Sequence, residues 1–193
     1  VELNPVNVKV CRKVFKMIDP NAKPNIYNKD FLLWSADEIE KGNKYDIIMG
    51  NPPYNKGWEG RQGGVLWKDF VFNSLNLLEK NGYLTFVHPL GWRKPFTDGD
   101  KEKNKNIAGR VWHIFKQYNL IFVKISDKKI QNFPKVDYYL FQKKKVTNFK
   151  TRIINEFNTY RIDETANINN LHFIPNLISK LSLRILNKLL SKS

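Results

Sequence analysis

The sequence is poor in cysteine, in long apolar runs and in acidic residues. One cysteine, Cys11, stands among 193 residues, which excludes an internal disulfide framework and indicates a reducing compartment such as the cytoplasm. No apolar run approaches the ~20 residues that cross a membrane, and the first residues hold no uninterrupted apolar stretch of the kind found in signal peptides. The histidines share no spacing with one another or with a cysteine or carboxylate cluster. The sequence therefore predicts no metal site and no membrane partner.

The shortage of acids leaves a strong positive charge. Lysine and arginine number 33 against 18 aspartates and glutamates, which gives a formal net charge of +15. A field of that sign attracts polyanions, of which nucleic acid is the commonest. A genome rich in A and T also raises the lysine, asparagine and isoleucine content. The charge by itself therefore leaves both a functional and a compositional explanation open.

Segments typical of helices and strands alternate along the chain. Apolar residues three and four apart predict helices, and compact apolar runs predict strands, of which the run at 45–49 reads as a buried one. The predicted helices cover 6–18, 65–79, 108–118 and 174–190, and the predicted strands cover 25–28, 45–49, 83–87, 120–125 and 136–141, with one or two more within 149–160. This alternation predicts an α/β fold, a mostly parallel twisted sheet with helices on both faces, whose ligands bind at the carboxyl ends of the strands.

The loop after the strand at 45–49 carries a distinctive set of residues. Residues 46–54 read D-I-I-M-G-N-P-P-Y, so the strand delivers Asn51, Pro52, Pro53 and Tyr54 to its carboxyl end. The two prolines fix their φ angles and donate no backbone hydrogen bonds, and the residue before a proline favours an extended conformation. The result is a stiff turn with accepting carbonyls. The Asn51 side-chain oxygen and the Pro52 carbonyl can both accept from one planar NH₂ group, while Tyr54 offers a flat face for stacking.

These residues resemble the catalytic motif of S-adenosylmethionine-dependent methyltransferases that modify exocyclic or amide nitrogens, above all the adenine-N6 DNA methyltransferases of restriction-modification systems. Further segments resemble that family in the expected order along residues 1–145. They are VELNP at 1–5, DFLLW at 30–34, GYLTFVHPLGW at 82–92 and NFPK at 132–135. The resemblance implies a Rossmann-like methyltransferase fold, S-adenosyl-L-methionine as the cofactor, and double-stranded DNA as the partner, with the target adenine flipped out.

The resemblance also assigns roles to individual residues. The catalytic residues that it implies are Asn51, Pro52, Pro53 and Tyr54. The two aromatic side chains that would hold the flipped base are Tyr54 and Phe133. The residues that would bind the cofactor are Glu2, Asp30, Phe31 and Asn51.

Some of these residues also have simpler explanations. Asp30 could be a helix cap or a loop acid, and Phe133 could be an ordinary hydrophobic plug before a strand. Among the tryptophans, Trp58 and Trp67 could contact the substrate. No metal is required by a direct methyl transfer, so the predicted site contains none.

The sequence departs from the family pattern at both ends. The family's glycine-rich cofactor loop, on its first and central strand, would precede Val1. We therefore expect residues 1–145 to form a catalytic domain that is incomplete at its N-terminus, and residues 146–193 to begin a C-terminal or target-recognition region. A preceding segment or a partner subunit is expected to supply the missing strand, because a sheet without its central strand exposes edges that are normally buried.

Three other functions fit the same motif. The acceptor could be an adenine of ribosomal RNA or a glutamine amide of a protein, because each presents a planar nitrogen to the same loop. A non-catalytic nucleic-acid-binding subunit with this fold is the third alternative, and the lack of a glycine-rich loop in the sequence motivates it.

Overall fold

The computed structural model describes residues 1–54, 65–95, 107–126, 135–146, 148–157 and 159–190. The chain divides into two units, Val1–Lys44 and Tyr45–Ser193. The first contains two helices, and the second contains a six-stranded sheet with further helices. Among the described residues, no helix has both the length and the apolar character needed to span a bilayer.

The first unit begins with helix α1, Pro5–Ile18, which starts one residue before the predicted range. Proline is well placed in a first helical turn, where its missing N–H has no partner to lose, and the Asn4 side chain accepts a hydrogen bond from the Val6 N–H at 2.9 Å. The predicted strand at 25–28 is wrong, because it is reduced to one parallel bridge between Glu2 and Asn28. The Asn28 side chain donates to the carbonyls of Glu2 and Leu3, at 3.0 and 2.7 Å. Side-chain hydrogen bonds therefore take the place of the backbone hydrogen bonds of a longer strand pair.

Helix α2, Phe31–Glu40, was not predicted from apolar spacing. Its start depends on one side chain, since Asp30 Oδ1 accepts hydrogen bonds from the N–H groups of Leu32 and Leu33 at 2.7 and 3.4 Å. A capping carboxylate at this position satisfies N–H groups that lack an intrahelical partner. A ten-residue helix with its apolar residues concentrated at one end has a weak periodic signal.

The second unit alternates strands and helices. Its strands are β1 (Tyr45–Gly50), β2 (Leu78–Pro89), β3 (Tyr118–Ser126), β4 (Val136–Lys145), β5 (Thr151–Glu156) and β6 (Arg161–Ala166). Its helices are α3 (Trp67–Leu77), α4 (Ile107–Phe115) and α5 (Lys180–Leu190), with a short 3₁₀ helix at Leu90–Arg93. The strands predicted at 45–49, 83–87, 120–125 and 136–141 are therefore confirmed, each of them longer in the structure.

The strands form one sheet in the order β1–β2–β4–β3–β5–β6. β1 pairs with β2 in parallel and β3 pairs with β5 in parallel, while β4 and β6 run antiparallel to their neighbours. Because β4 reverses the direction twice between β2 and β3, the strands β1, β2, β3 and β5 all point the same way. The carboxyl ends of β1 and β2 thus meet at one edge of the sheet, as the prediction requires. β5 and β6 extend this sheet beyond residue 145, and the division of the chain at that residue stays a prediction.

The buried core of this unit lies against one face of the sheet. Along β2, the buried Leu84, Phe86 and His88 alternate with more exposed neighbours, which is the period of two expected for a strand with one covered face. The three helices of this unit contribute to the same core, through buried residues that include Val71, Leu75, Val111, Trp112, Phe115 and Leu183. The three helices therefore pack in the same core as β2, whose carboxyl end lies at the edge where the candidate loop is found.

Strand β1 differs from the buried strand that its apolar run predicts. It is an edge strand in the described sheet, and the side chains of Ile47 and Met49 are 65% and 76% exposed. On its paired side, Gly50 lies next to its register partner Phe86 on β2, and a Cβ added at Gly50 would come within 3.2 Å of the Phe86 ring. An apolar strand with one exposed face is suited to contact a further partner.

Three predicted helices are shorter in the structure, and the one predicted at 108–118 ends at Phe115. The helix predicted at 65–79 ends at Leu77 because the chain passes directly into β2 at Leu78. The helix predicted at 174–190 begins only at Lys180. Backbone groups of the preceding residues bond elsewhere: the Ile174 N–H donates to the Arg93 carbonyl at 3.0 Å, and the Asn155 side chain bonds both the N–H and the carbonyl of Ile178, at 3.2 and 2.7 Å. Tertiary hydrogen bonds thus replace the first turns of the predicted helix.

Candidate active site

The loop after β1 combines a buried anchor with exposed polar atoms. Asn51 directly follows the strand and is exposed, Pro52 is buried, Pro53 is exposed, and Tyr54 is half-buried. The buried Pro52 lies between two residues, Asn51 and Pro53, that are exposed to solvent. A planar group arriving from solvent can therefore reach the Asn51 side chain, which the sequence prediction requires.

Asn51 and Tyr54 are in direct contact. The Tyr54 hydroxyl donates a hydrogen bond to Asn51 Oδ1, with 3.1 Å between the oxygens. Burial raises the pKa of the Tyr54 hydroxyl above its usual value, so it remains a protonated donor at neutral pH. Because an amide oxygen has two lone pairs, Asn51 Oδ1 keeps acceptor capacity for a second donor.

The backbone of Tyr54 is held from the other side of the loop. Its carbonyl accepts a hydrogen bond from the Leu66 N–H at 3.0 Å. Leu66 immediately precedes helix α3, which begins at Trp67. The expectation that Trp67 contacts the substrate is wrong, because its side chain is only 2% exposed. Trp67 instead stacks on the buried ring of His88 on β2.

A buried ion pair lies where β2 ends. Asp137 Oδ2 on β4 is 2.7 Å from Nε of Arg93 and accepts a hydrogen bond from the Trp92 indole at 2.9 Å. Burial raises the pKa of the Asp137 carboxyl to about 6, against the opposing effect of the Arg93 charge. The Arg93 guanidinium also donates to the Pro175 carbonyl at 3.1 Å. These contacts join the loop after β2 to the segment that leads into α5, and apolar spacing gives no signal for them.

The first unit brings two predicted cofactor residues onto adjacent segments. Glu2 forms the bridge with Asn28, two residues before Asp30. Glu2 Oε1 accepts from the Asn4 N–H at 2.8 Å, and Asp30 Oδ1 caps α2, so the capping explanation of Asp30 holds in the structure. Within the described residues, each carboxylate keeps its second oxygen for another donor. Phe31 is half-buried, with its ring centroid 6.1 Å from that of Trp34.

Phe133 and Trp58 lie outside the described residues. The structure therefore brings together Asn51, Pro52, Pro53 and Tyr54 in one unit, and Glu2, Asp30 and Phe31 in the other. In the described ranges, no three His, Cys, Asp or Glu side chains are grouped closely enough to hold a metal ion.

Residues 4–110 match the family described as Eco57I restriction-modification methylase. The chain is also similar to two curated proteins over part of its length. One is "Modification methylase CviBIII" of Paramecium bursaria Chlorella virus NC1A, 34% identical over 100 residues that cover 46% of this chain and 23% of the relative. The other is an "Uncharacterized adenine-specific methylase" of Mycoplasma pneumoniae, 35% identical over 77 residues that cover 34% of this chain and 18% of the relative. The matched region thus spans under a quarter of either relative.

A solved structure shares the fold. It is the type I restriction-modification system methyltransferase subunit from Streptococcus thermophilus, which aligns with 100% of this chain and 41% of its own length, at a TM-score of 0.54 and 19% sequence identity. The likeness confirms the predicted Rossmann-like methyltransferase fold.

Proposed function

Because this chain belongs to the Eco57I restriction-modification methylase family, we propose that the protein is a DNA methyltransferase that transfers a methyl group to the N6 amino group of adenine. One observation carries the proposal. At the carboxyl end of β1, an exposed Asn51 presents Oδ1 beside the Tyr54 ring, with 3.1 Å between Oδ1 and the Tyr54 hydroxyl. An amide acceptor and a flat ring at one point are what an aromatic amine needs for binding and stacking.

Asn51 and Pro52 act on the acceptor nitrogen. An aromatic amine is a weak nucleophile because its lone pair is delocalised into the ring. Hydrogen bonds from its two N–H groups to Asn51 Oδ1 and the Pro52 carbonyl favour a more pyramidal nitrogen and stabilise the positive charge that develops there. The prolines keep these acceptors fixed, so little reorganisation is needed during the transfer.

Tyr54 binds the face of the base. The amino group of an adenine inside a stacked duplex is inaccessible, so the base must be extruded into the site. Stacking on an aromatic side chain contributes roughly 1–3 kcal/mol per base, which offsets part of the cost of unstacking. Phe133 is proposed as the second ring on the opposite face of the base.

The cofactor is S-adenosyl-L-methionine, which supplies a methyl group on a positively charged sulfur. The carboxylates of Glu2 and Asp30 fit a ligand with hydroxyl and amino donors, because each keeps one oxygen beside its structural hydrogen bond. Phe31 supplies an apolar ring next to Asp30 for a planar heterocycle. Asn51 orients the acceptor nitrogen toward the methyl carbon.

DNA is the proposed partner, and the net charge of +15 supports a polyanion over a protein acceptor. On β1, Ile47 and Met49 are 65% and 76% exposed, so this apolar face is suited to pack against a further element. β1 is also the outer strand of the described sheet. We propose that a further strand, from a preceding segment or a partner subunit, pairs with this edge.

The test is a tritium-transfer assay with the full-length protein and three acceptors: DNA, ribosomal RNA and a protein that presents a glutamine. Label in DNA is expected. Asn51→Ala is expected to lower kcat by about tenfold or more, with DNA affinity little changed, because the lost acceptor acts on the reacting nitrogen. Thr85→Ala on neighbouring β2 is the control substitution and should retain activity.

Label in RNA or protein alone would replace the proposed acceptor with one of those alternatives. Titration calorimetry with S-adenosylmethionine separates the enzyme from a non-catalytic binding subunit. Heat of binding is expected from the full-length protein, and its absence, with intact DNA binding, would favour the binding subunit.

A further inference from the structure

A buried aromatic cluster includes Trp67, and the residue before it, Leu66, bonds the candidate catalytic loop. Its centre is His88 on β2, whose side chain is 0% exposed. The Trp67 ring stacks on the imidazole with 4.1 Å between centroids and an interplanar angle of 10°. The Tyr139 ring meets the imidazole edge-on, at 5.3 Å and 68°. These three side chains come from three elements, α3, β2 and β4, and fix one another in orientation.

Hydrogen bonds define the state of the imidazole. Nδ1 lies 3.1 Å from the Pro89 carbonyl, and Nε2 lies 3.1 Å from the Tyr139 hydroxyl. A carbonyl can only accept, so Nδ1 carries the hydrogen and Nε2 accepts from the tyrosine. Burial lowers the pKa of His88 to about 4, so this neutral tautomer persists at neutral pH. Both polar atoms of a buried ring are therefore satisfied, and the ring cannot turn without losing a hydrogen bond.

The cluster is connected to the catalytic loop through two consecutive residues. Trp67 stacks on His88, while the N–H of the preceding Leu66 donates to the Tyr54 carbonyl at 3.0 Å. The Tyr54 hydroxyl in turn donates to Asn51 Oδ1 at 3.1 Å. A continuous series of contacts thus runs from the fixed imidazole to the amide oxygen that would receive the substrate.

We propose that Trp67 and His88 are positioning residues, which hold Tyr54, and through it Asn51, in the orientation that methyl transfer requires. The inference rests on the proposed function, since it assigns the cluster to that same site. A flat stack with two directed hydrogen bonds fixes both distance and angle, whereas an aliphatic pair of equal volume fixes only distance. Misplacement of a reacting group by about 1 Å can cost on the order of 100-fold in rate.

The experiment compares substitutions that keep the ring with substitutions that remove it, in the full-length protein. Trp67→Leu and His88→Leu remove the stack, while Trp67→Phe and His88→Phe retain a flat ring. The control is Trp112→Leu, which removes a core tryptophan on α4 that is 1% exposed and whose indole bonds the Leu171 carbonyl. Each variant is measured for kcat, for KM toward DNA and for thermal unfolding.

Trp67→Leu and His88→Leu are expected to lower kcat by about tenfold or more, with KM for DNA changed less than about threefold. Trp67→Phe should retain at least about a third of kcat, because a flat ring still stacks on the imidazole and the two hydrogen bonds of His88 are untouched. His88→Phe keeps a flat ring but loses both hydrogen bonds, so its kcat should lie between those of Trp67→Phe and His88→Leu. Trp112→Leu should lose stability to a similar degree and keep kcat, when assayed well below its unfolding temperature. If Trp67→Leu does not fold, the smaller change His88→Leu tests the same stack.

A spectroscopic measurement separates positioning from general loosening of the core. After the methylated sequence has been mapped, 2-aminopurine replaces the target adenine. Its fluorescence rises when a flipped base is poorly stacked, so Trp67→Leu and His88→Leu should give a brighter complex than the wild type, and Trp112→Leu should not.

Equal kcat and equal fluorescence in Trp67→Leu and Trp112→Leu would overturn the inference and leave the cluster a purely structural one. A wild-type protein that labels no DNA would instead overturn the proposed function, and the inference with it.

Discussion

At the scale of single residues, the sequence predicts which residues form the candidate site but does not predict the hydrogen bonds between them. Asn51 and Tyr54 could be predicted because two prolines after an apolar strand specify a stiff turn. The hydrogen bond between them depends on side-chain orientation, and the one from the Leu66 N–H to the Tyr54 carbonyl joins residues that are not neighbours in sequence, so local patterns predict neither bond. No sequence pattern singles out His88. Its role in the core depends on Trp67 and Tyr139, which are far from it in sequence.

Asp137 gives a prediction about pH. Burial places its pKa at about 6 in the folded chain, above the ordinary value of 3.8. The native state therefore binds this proton more tightly than the unfolded state, and the contribution of Asp137 to the free energy of unfolding falls as pH rises from about 4 to about 6. Asp137→Asn should remove that dependence, so the stability of the variant relative to the wild type should rise by roughly 1–3 kcal/mol over this range.

Urea unfolding at several pH values from 4.5 to 7.5 measures this difference. Asp163→Asn is the control, because the exposed Asp163 has its pKa lowered by Arg152 and stays ionised throughout. A difference between Asp137→Asn and the wild type that is constant with pH, or falls as pH rises, would contradict the account.

At the scale of elements, the presence of most strands was predicted, but the ends of strands and helices were not: β2 begins at Leu78 rather than at residue 83. A strand in this fold is a short run of apolar residues, so the sequence pattern that predicts it lies within the strand itself. The start of α5 is set instead by tertiary bonds, such as those of Asn155 to Ile178. The exposure of β1 could not be predicted either, because the same apolar run is found in central strands and in edge strands.

The contact between β1 and β2 gives a prediction at this scale. A Cβ added at Gly82 would lie 2.8 Å from the Asp46 carbonyl and 3.1 Å from that of Glu79. Both neighbours are backbone atoms, so the strands must shift. Gly82→Ala is expected to lower the free energy of unfolding by roughly 1–3 kcal/mol and to reduce the hydrogen-exchange protection of β1. Lys80→Ala, at an exposed position on the same strand, is the control. Equal stabilities in the two variants would contradict the close approach of Gly82 to the Asp46 carbonyl.

At the scale of the whole molecule, fold class and family could be predicted together, and the match of residues 4–110 confirms the predicted family. The reason is that the motif at 51–54 and the segments around it stand in the family's order along the chain, while the alternation of strands and helices predicts the sheet independently. The antiparallel insertion of β4 between β2 and β3 could not be predicted, because strand order depends on long-range pairing that local patterns do not encode.

The identity of the methylated nucleoside tests the central claim most directly. Unmethylated DNA is incubated with the full-length protein and S-adenosylmethionine, digested to nucleosides, and separated by liquid chromatography with mass detection. The account predicts N6-methyldeoxyadenosine from the wild type and a loss of about tenfold or more in its rate of formation by Asn51→Ala. Methyl groups found only on cytosine, or formed as fast by Asn51→Ala as by the wild type, would contradict it.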